Sequence, residues 1–469
     1  MKKQIFNPYM PSWEYVPDGE PHVFGDRVYV YGSHDLFNGW GFCLGDYVCY
    51  SAPIDDLKDW RYEGVIYKRT QDPVNEDGKR VMYAPDATRG PDGRYYLYYF
   101  FDNVDFISVA VCDTPAGEYE FYGYVHYPDG TLYGRNTEMG DYPNFDPGVM
   151  TEGDVTYLYT GFGRKSPGAM VTVLDKDMLT VLKKPNIILP SANFEGQNLS
   201  AGTEYEGHGF FEASSMRKIN GKYYFIYSSE LSHELCYAVS DSPTEGFKYG
   251  GILISNCDYN VDSYKPKGKM MRSGGNNHGS VEFINGKYYI FYHRQTNGTS
   301  YSRQACAEEI TLNADGSFTQ AEISSCGLNG GPLEGKGYYP AYIACYTFSP
   351  NGFPKITQDG KDGDEIPGHV ANIVTGSTIG FKNFIFDGTE KEIILTIRAG
   401  SGAHGDFEVR TELGGEVLTK VRTKPANFWD EVSAPITLPK GVHSLFLTYI
   451  RDESIRGMPE ISLLGFEIK

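Results

Sequence analysis

Five segments of this chain each begin with residues able to move protons or hold a metal. They are Glu20-Pro21-His22-Val23, Asp86-Ala87-Thr88-Arg89, Asp146-Pro147-Gly148-Val149, Glu212-Ala213-Ser214-Ser215 and His278-Gly279-Ser280-Val281. Two or three carboxyl groups around one pocket are what glycosidic bond hydrolysis needs: one protonates the leaving oxygen, and another activates water or attacks carbon. Both protonation states must coexist near neutral pH, so neighbours must push the pKa values apart. A third carboxylate beside the acid does this by like-charge repulsion. Any one of these acids alone also reads as a cap on backbone N–H groups. The change of residue type at a fixed position favours chemistry over capping.

The elements that must position these residues recur with them. Each opening is followed by an aromatic and β-branched run: RVYVYGS, RYYLYYF, TYLYTGF, KYYFIYS and KYYIFYH. The openings are spaced by 66, 60, 66 and 66 residues. A period of that length, made of strands and turns, is the signature of a propeller blade. Blades are radial, so equivalent inner positions converge on one axis. Turn signals separate the strands, among them Gly25-Asp26, Asn220-Gly221 and Asn285-Gly286, and Asn-Gly is a strong hairpin signal. The sequence predicts an all-β chain: a five-bladed β-propeller over residues 1–325, a Gly-rich linker over 326–340 and a β-sandwich (jelly roll) over 341–469. The last part alternates apolar and polar residues in EIILTIRAG, DFEVRTEL, EVLTKVRT, HSLFLTYI and EISLLGFEIK.

The 61 acidic residues outnumber the 42 basic ones and give a net charge of −19. That balance argues against nucleic acid or an anionic membrane as a partner. No apolar run approaches transmembrane length. The first residues hold no apolar signal core before Pro8, Pro11 and Trp13, so a cytoplasmic location is expected. The eight cysteines show no C-x-x-C spacing and read as reduced, buried thiols. The 38 tyrosines and 27 phenylalanines suit strands and also sugar stacking.

The blade openings resemble those of glycoside hydrolase family 43, five-bladed propellers that hydrolyse with inversion. The resemblance spans the first domain and rests on Asn7-Pro8, Tyr83-Ala84-Pro85-Asp86, Phe145-Asp146-Pro147-Gly148-Val149, Phe211-Glu212-Ala213-Ser214 and Asn277-His278-Gly279-Ser280-Val281. It is greatest for the β-xylosidase and α-L-arabinofuranosidase group. It implies Glu212 as general acid and Asp146 as the carboxylate that tunes it. The family's base is an Asp in an Asp-Pro pair of the first blade. Here Glu20-Pro21 stands in that register, a departure, and Asp18 is the competing candidate. Asp86 either binds sugar hydroxyls or holds its blade. The resemblance links His278 to an axial calcium ion, held mostly through water, and makes Arg303 a substrate-binding residue, with Arg294 a poorer candidate. His34 and Asp35 end the first inner strand and frame the pocket at most.

The last domain resembles a family 6 carbohydrate-binding module through Phe381-Lys382-Asn383-Phe384, Asn427-Phe428-Trp429 and Gly441-Val442-His443. Trp429 is half of a possible sugar sandwich, and the alternative is that this domain packs on the propeller and shapes the pocket rim. The expected function is an inverting exo-glycosidase that releases terminal α-L-arabinofuranosyl or β-D-xylosyl residues from small xylan oligosaccharides. The long segments 67–82, 125–145 and 190–210 are candidates for the pocket wall. The alternatives are a non-catalytic sugar-binding propeller and a glycosidase of the same fold acting on another sugar.

Overall fold

Asn220-Gly221 and Asn285-Gly286 both turn with positive φ at each residue (51° and 81°, 48° and 86°). That geometry matches the twist of the flanking strands in a two-residue hairpin. The turns pair Ile219 with Lys222 and Ile284 with Lys287. The computed structural model describes residues 3–259, 261, 270–454, 456 and 458–469.

Antiparallel hairpins build five sheets in succession. Blade I holds β1 (Glu20–Phe24), β2 (Arg27–Tyr31), β3 (Tyr47–Pro53) and β4 (Arg61–Tyr67). Blade II holds β5 (Asp86–Arg89), β6 (Tyr95–Tyr99), β7 (Ser108–Cys112) and β8 (Glu120–Tyr124). Blade III holds β9 (Gly148–Glu152), β10 (Val155–Thr160), β11 (Gly168–Leu174) and β12 (Asn186–Pro190). Blade IV holds β13 (Phe210–Ile219), β14 (Lys222–Ser229), β15 (Glu234–Ser240) and β16 (Lys248–Ser255). Blade V holds β17 (Val281–Ile284), β18 (Lys287–Gln295) and β19 (Arg303–Ile310), three strands among the described residues.

The architecture is the five-bladed propeller that the repeat predicts. One apolar cluster lies between each pair of neighbouring blades, for example Tyr47 and Leu97 between I and II, and Tyr159 and Phe225 between III and IV. The last joint, between V and I, packs Val28 and Val48 against Phe291 and Ala305. Tyrosine suits these joints because its ring fills the core while its hydroxyl finds a partner. Tyr67 and Tyr99 share a hydrogen bond of 2.7 Å, and the Tyr99 hydroxyl donates to Asp72 at 2.7 Å. Two contacts close the ring. Gly19 bridges Gly279 in parallel. The buried Asn7 amide donates to the Ala307 carbonyl and accepts from the Ala307 N–H, both at 3.0 Å.

The second unit is a β-sandwich of two sheets around one apolar core. Its strands are β20 (Leu333–Glu334), β21 (Gly337–Pro340), β22 (Tyr346–Phe348), β23 (Lys355–Thr357), β24 (His369–Ile373), β25 (Thr378–Phe386), β26 (Glu392–Ala399), β27 (Gly405–Arg410), β28 (Thr419–Arg422), β29 (Ala426–Pro435), β30 (Gly441–Arg451) and β31 (Ile461–Ile468). One sheet runs β20-β25-β30-β27-β28 with β22 on β25, and the other β23-β24-β31-β26-β29 with β21 on β31. The segment expected as a linker, 326–340, therefore contributes two strands. Its glycines also serve turns: Gly330 takes φ of 74°.

Polar contacts fasten the sandwich to the propeller. Arg294 donates to the carbonyls of Tyr342 (2.6 Å) and Ala344 (3.1 Å), which places it in this joint and away from the pocket. Lys382 of β25 reaches Asp258 at 2.8 Å and Glu322 at 2.5 Å. Removing one partner of a buried ion pair strands the other charge, at about 3–5 kcal/mol. Lys382→Met is expected to lower the unfolding free energy by that order, and urea denaturation at pH 7 measures it.

Candidate active site

Asp18 and Asp146 each stand two residues ahead of an inner strand, at β1 and β9. Both take positive φ, 57° and 41°. Non-glycine residues held there are strained and recur at functional sites. Glu212 reaches the same place differently. The register of β13 against β14 shifts on both sides of it, and Ala213 beside it has φ of 66°. Such a bulge re-aims a side chain. The freed Ala213 N–H donates to the Asp146 carboxylate at 3.1 Å, which ties blade III to blade IV at the two acids. Gly148 follows because the strands come so close: a Cβ there would lie 2.3 Å from the Ser214 carbonyl.

These three carboxyl groups open onto one axial cavity of about 460 Å³. Phe42, Tyr83 and Phe145 supply its apolar wall, and His278, Asn276 and Arg303 are among its other polar groups. Of the long segments expected as walls, only 125–145 contributes, through Phe145.

Each carboxyl group has a different setting. Burial alone would raise Asp18. It is outweighed by the Arg303 guanidinium at 2.9 and 3.1 Å, by His293 and His278, and by the Ser33 hydroxyl, so Asp18 is held below the usual range. His293 also fixes the loop, for its Nδ1 accepts the Asp18 N–H at 3.2 Å and its Nε2 donates to the Asn276 carbonyl at 2.7 Å. Glu212 goes the other way: burial and the nearby Asp146 charge raise it to about 8. Burial raises Asp146 too, against the pull of His278 at 3.6 Å. One acid is thus ionised and another protonated at neutral pH, as acid–base pairing requires.

Glu20 is not in the pocket. It begins β1, two residues beyond Asp18, and a strand advances about 3.3 Å per residue. Its side chain therefore sits one tier deeper on the axis. There it is fully buried, accepting from Arg217 and Ser215, both at 2.9 Å. Burial would raise it, but Arg217 and His278 bring it down to about 2. Asp86 occupies the same tier. It accepts from the Ala87 and Val149 N–H groups at 2.7 Å and contacts His22 at 2.6 Å, holding blades I, II and III together. Its pocket-level counterpart is Ala84. The expectation of Glu20 as base followed the Glu-Pro pair. Asp18, as far ahead of its strand as Asp146 is of β9, is the acid of blade I that reaches the pocket.

Arg303 lines the pocket with its guanidinium already engaged. Asp35 accepts from its Nε at 2.8 Å and from Nη2 at 2.9 Å, and Asp18 accepts from Nη1. Asp35, left at the margin by the sequence, is the buried anchor of the arginine. His34 does not reach the cavity and contacts the Asp46 carbonyl at 3.1 Å.

His278 joins the tiers. Nδ1 faces Asp146 at 3.6 Å and Nε2 faces Glu20 Oε1 at 3.5 Å. Nε2 and Oε1 are buried and find no hydrogen-bond partner among the described residues. Their gap exceeds a hydrogen bond. A hard cation takes oxygen ligands, so the unpaired Glu20 Oε1 is the atom of this pair that suits one.

The model of the glycosyl hydrolases family 43 matches residues 21–318. The chain is also 57% identical, over all of its length and 99% of the relative's, to a xylosidase/arabinosidase of Thermoclostridium stercorarium. The chain belongs to glycosyl hydrolase family 43. Among solved family 43 structures it resembles a β-xylosidase/α-arabinofuranosidase from a compost microbial metagenome, described with xylotriose in a calcium-free form (TM-score 0.52, 27% identity, 66% of this chain and 96% of that one). The fold of the whole chain matches an arabinoxylan arabinofuranohydrolase from Bacillus subtilis (TM-score 0.52, 21% identity, 99% and 97%).

A carboxyl group whose pKa is raised by folding costs stability once the pH passes its unfolded value, and the full cost is present above its folded value. For Glu212 that window runs from about 4.5 to about 8. Glu212→Gln is expected to match the wild type at pH 4 and to exceed it at pH 9 by a few kcal/mol in order of magnitude. Denaturant titrations at the two pH values measure the difference.

Proposed function

We propose that this family 43 chain is an inverting exo-glycosidase that releases terminal α-L-arabinofuranosyl or β-D-xylosyl residues from xylan oligosaccharides. The observation that carries the reading is the pair of opposed carboxyl groups, Asp18 held low and Glu212 raised to about 8, on one pocket. The choice of pentose is supported by the names of the relatives, a xylosidase/arabinosidase and a β-xylosidase/α-arabinofuranosidase. Loops from all five blades line the cavity, which suits a chain end.

Asp18, with Arg303 and Ser33 keeping it ionised, takes a proton from water as the oxygen attacks the anomeric carbon. Glu212 gives its proton to the departing oxygen. Asp146 sustains that proton by its charge and orients Glu212 through the bulge at Ala213. The aromatic wall excludes bulk water from the sugar. The base role thus moves from Glu20 to Asp18. A calcium ion at the axis, implied by the family resemblance, would be held by the Glu20 carboxylate, with His278 reaching it through water. It would supply fixed positive charge beneath the carboxyl groups.

The reading of a non-catalytic sugar-binding propeller leaned on the substitution of Glu for Asp at the base. Asp18 in the pocket removes that support. In the sandwich, the Arg398 guanidinium covers the Trp429 ring at 4.4 Å, which disfavours sugar stacking at that ring, and the catalytic pocket is lined by propeller residues alone among the described residues.

Turnover of 4-nitrophenyl α-L-arabinofuranoside or β-D-xyloside tests the activity. An NMR time course that gives product of inverted configuration is expected, and a retained product refutes the mechanism. Asp18→Asn should lower kcat by about 10²–10⁴. A loss of that size in Glu20→Gln alone would return the base role to Glu20. The alkaline limb of kcat/KM should lie near pH 8 and fall to lower pH in Asp146→Asn, because the repulsion that keeps Glu212 protonated is gone.

A further inference from the structure

We propose that the sandwich holds the Asp18–Arg303 pair in its working geometry, through Gln358 and Asp362 of the turn between β23 and β24. Neither residue lines the pocket, and both are positioning residues for the base. This rests on the reading of Asp18 as base given above.

The link starts at Asp35, the anchor of the Arg303 guanidinium. Asp35 lies in the connection from β2 to β3, residues 32–46, which forms no strand. Its carboxylate also accepts the Cys43 N–H at 2.8 Å, so the segment folds back on it. That fold brings Phe42 and Cys43 to the pocket wall. Asn38 and Cys43 pass through it with φ of 57° and 58°. Non-glycine residues keep such a conformation only where their surroundings over-determine it. The N–H groups of Asp35 and Phe37 find their acceptors outside the segment, and those acceptors lead to the sandwich.

Two routes run from the sandwich to Asp35. In the first, the Phe37 N–H donates to Asp362 Oδ1 at 2.7 Å. In the second, the Asp35 N–H donates to the Tyr15 carbonyl, and the Tyr15 hydroxyl donates to Gln358 Oε1, both at 2.9 Å. The routes meet where the rings of Tyr15 and Phe37 stack, 5.9 Å apart and 17° from parallel. Both rings and Gln358 are buried. Next to them Asn297 donates from Nδ2 to Asn38 Oδ1 at 2.8 Å. Asn297 is itself held by β23: its N–H donates to the Ile356 carbonyl at 2.7 Å, and its Oδ1 accepts from the Thr357 hydroxyl at 2.8 Å.

The sandwich therefore acts on the chemistry at one remove. Freeing Phe37 from Asp362 lets Asp35 shift, and the guanidinium locked to Asp35 follows its carboxylate. Asp18 then loses part of the opposite charge that favours its ionised form. It also loses its aim at the attacking water, and a misplacement of about 1 Å costs up to about 10² in rate.

The experiment compares full-length wild type, Asp362→Ala and Asp362→Asn on the better of the two 4-nitrophenyl glycosides, at pH 7 and pH 4, with thermal unfolding of each. Asp362 is exposed, so both variants are expected to fold. Alanine removes the acceptor, whereas asparagine keeps an acceptor oxygen and removes only the charge. The expected result is an approximately tenfold fall in kcat for Asp362→Ala at pH 7, with recovery in Asp362→Asn. The deficit of Asp362→Ala should widen at pH 4, because a loosened Asp18 takes up protons there. Loss of the Asp362 charge alone would favour ionised carboxylates nearby and narrow it. Tyr15→Phe cuts the second route and should lower kcat in the same direction. Unchanged kcat in Asp362→Ala and Tyr15→Phe, even with a lower Tm, overturns this inference, as does a deficit that narrows at pH 4 or that asparagine does not recover. Full turnover in Asp18→Asn overturns the base reading, and this inference with it.

Discussion

A buried pocket that keeps one carboxylate charged and another neutral depends on where its positive charge is fixed. Here that point is Arg303. Its guanidinium spans Asp35 and Asp18, with Phe42 against its face at 4.9 Å. A flexible cation would follow whichever acid was ionised and blur the difference between them. A planar fork locked by two hydrogen bonds to Asp35 cannot. Asp18 gains its partner, while Glu212 is left with burial and the Asp146 charge. The asymmetry of the site is therefore set on the side of Asp18.

The axis repeats this arrangement one tier down. Glu20 has Arg217 as Asp18 has Arg303, and His278 stands between the tiers. Asp86 holds three blades through backbone N–H groups and His22. The lower tier carries the structural burden that lets the upper tier accept positive φ at Asp18 and Asp146.

The propeller was legible because its blades repeat aromatic strands and Asn-Gly turns, which are local signals. Glu212, Asp146 and His278 were found from the same repeat, and the structure brings all three to the pocket. Glu20 and Asp86 were placed one tier too high. Along a strand, residues two apart share a face, so a periodic reading cannot separate pocket from sub-pocket. Asp18 precedes the strand in a left-handed turn, outside the alternation, and the dipeptide Asp18-Gly19 was its only local mark. Asp35 and His293 act through partners distant in sequence, Arg303 and Asp18, and no spacing reports such contacts. The strands at 333–334 and 337–340 were hidden because glycines used for turns resemble a linker.

The clasp of Asn7 on Ala307 bears on how the molecule is made. A ribosome releases blade I long before the strand that receives Asn7. Until that strand emerges, the first segment has no place to dock and the joint between blades V and I stays open. The ring thus closes late in synthesis, and only then does the axis acquire all five of its inner strands. Catalytic competence follows from completion of the circle, not from the folding of any single blade.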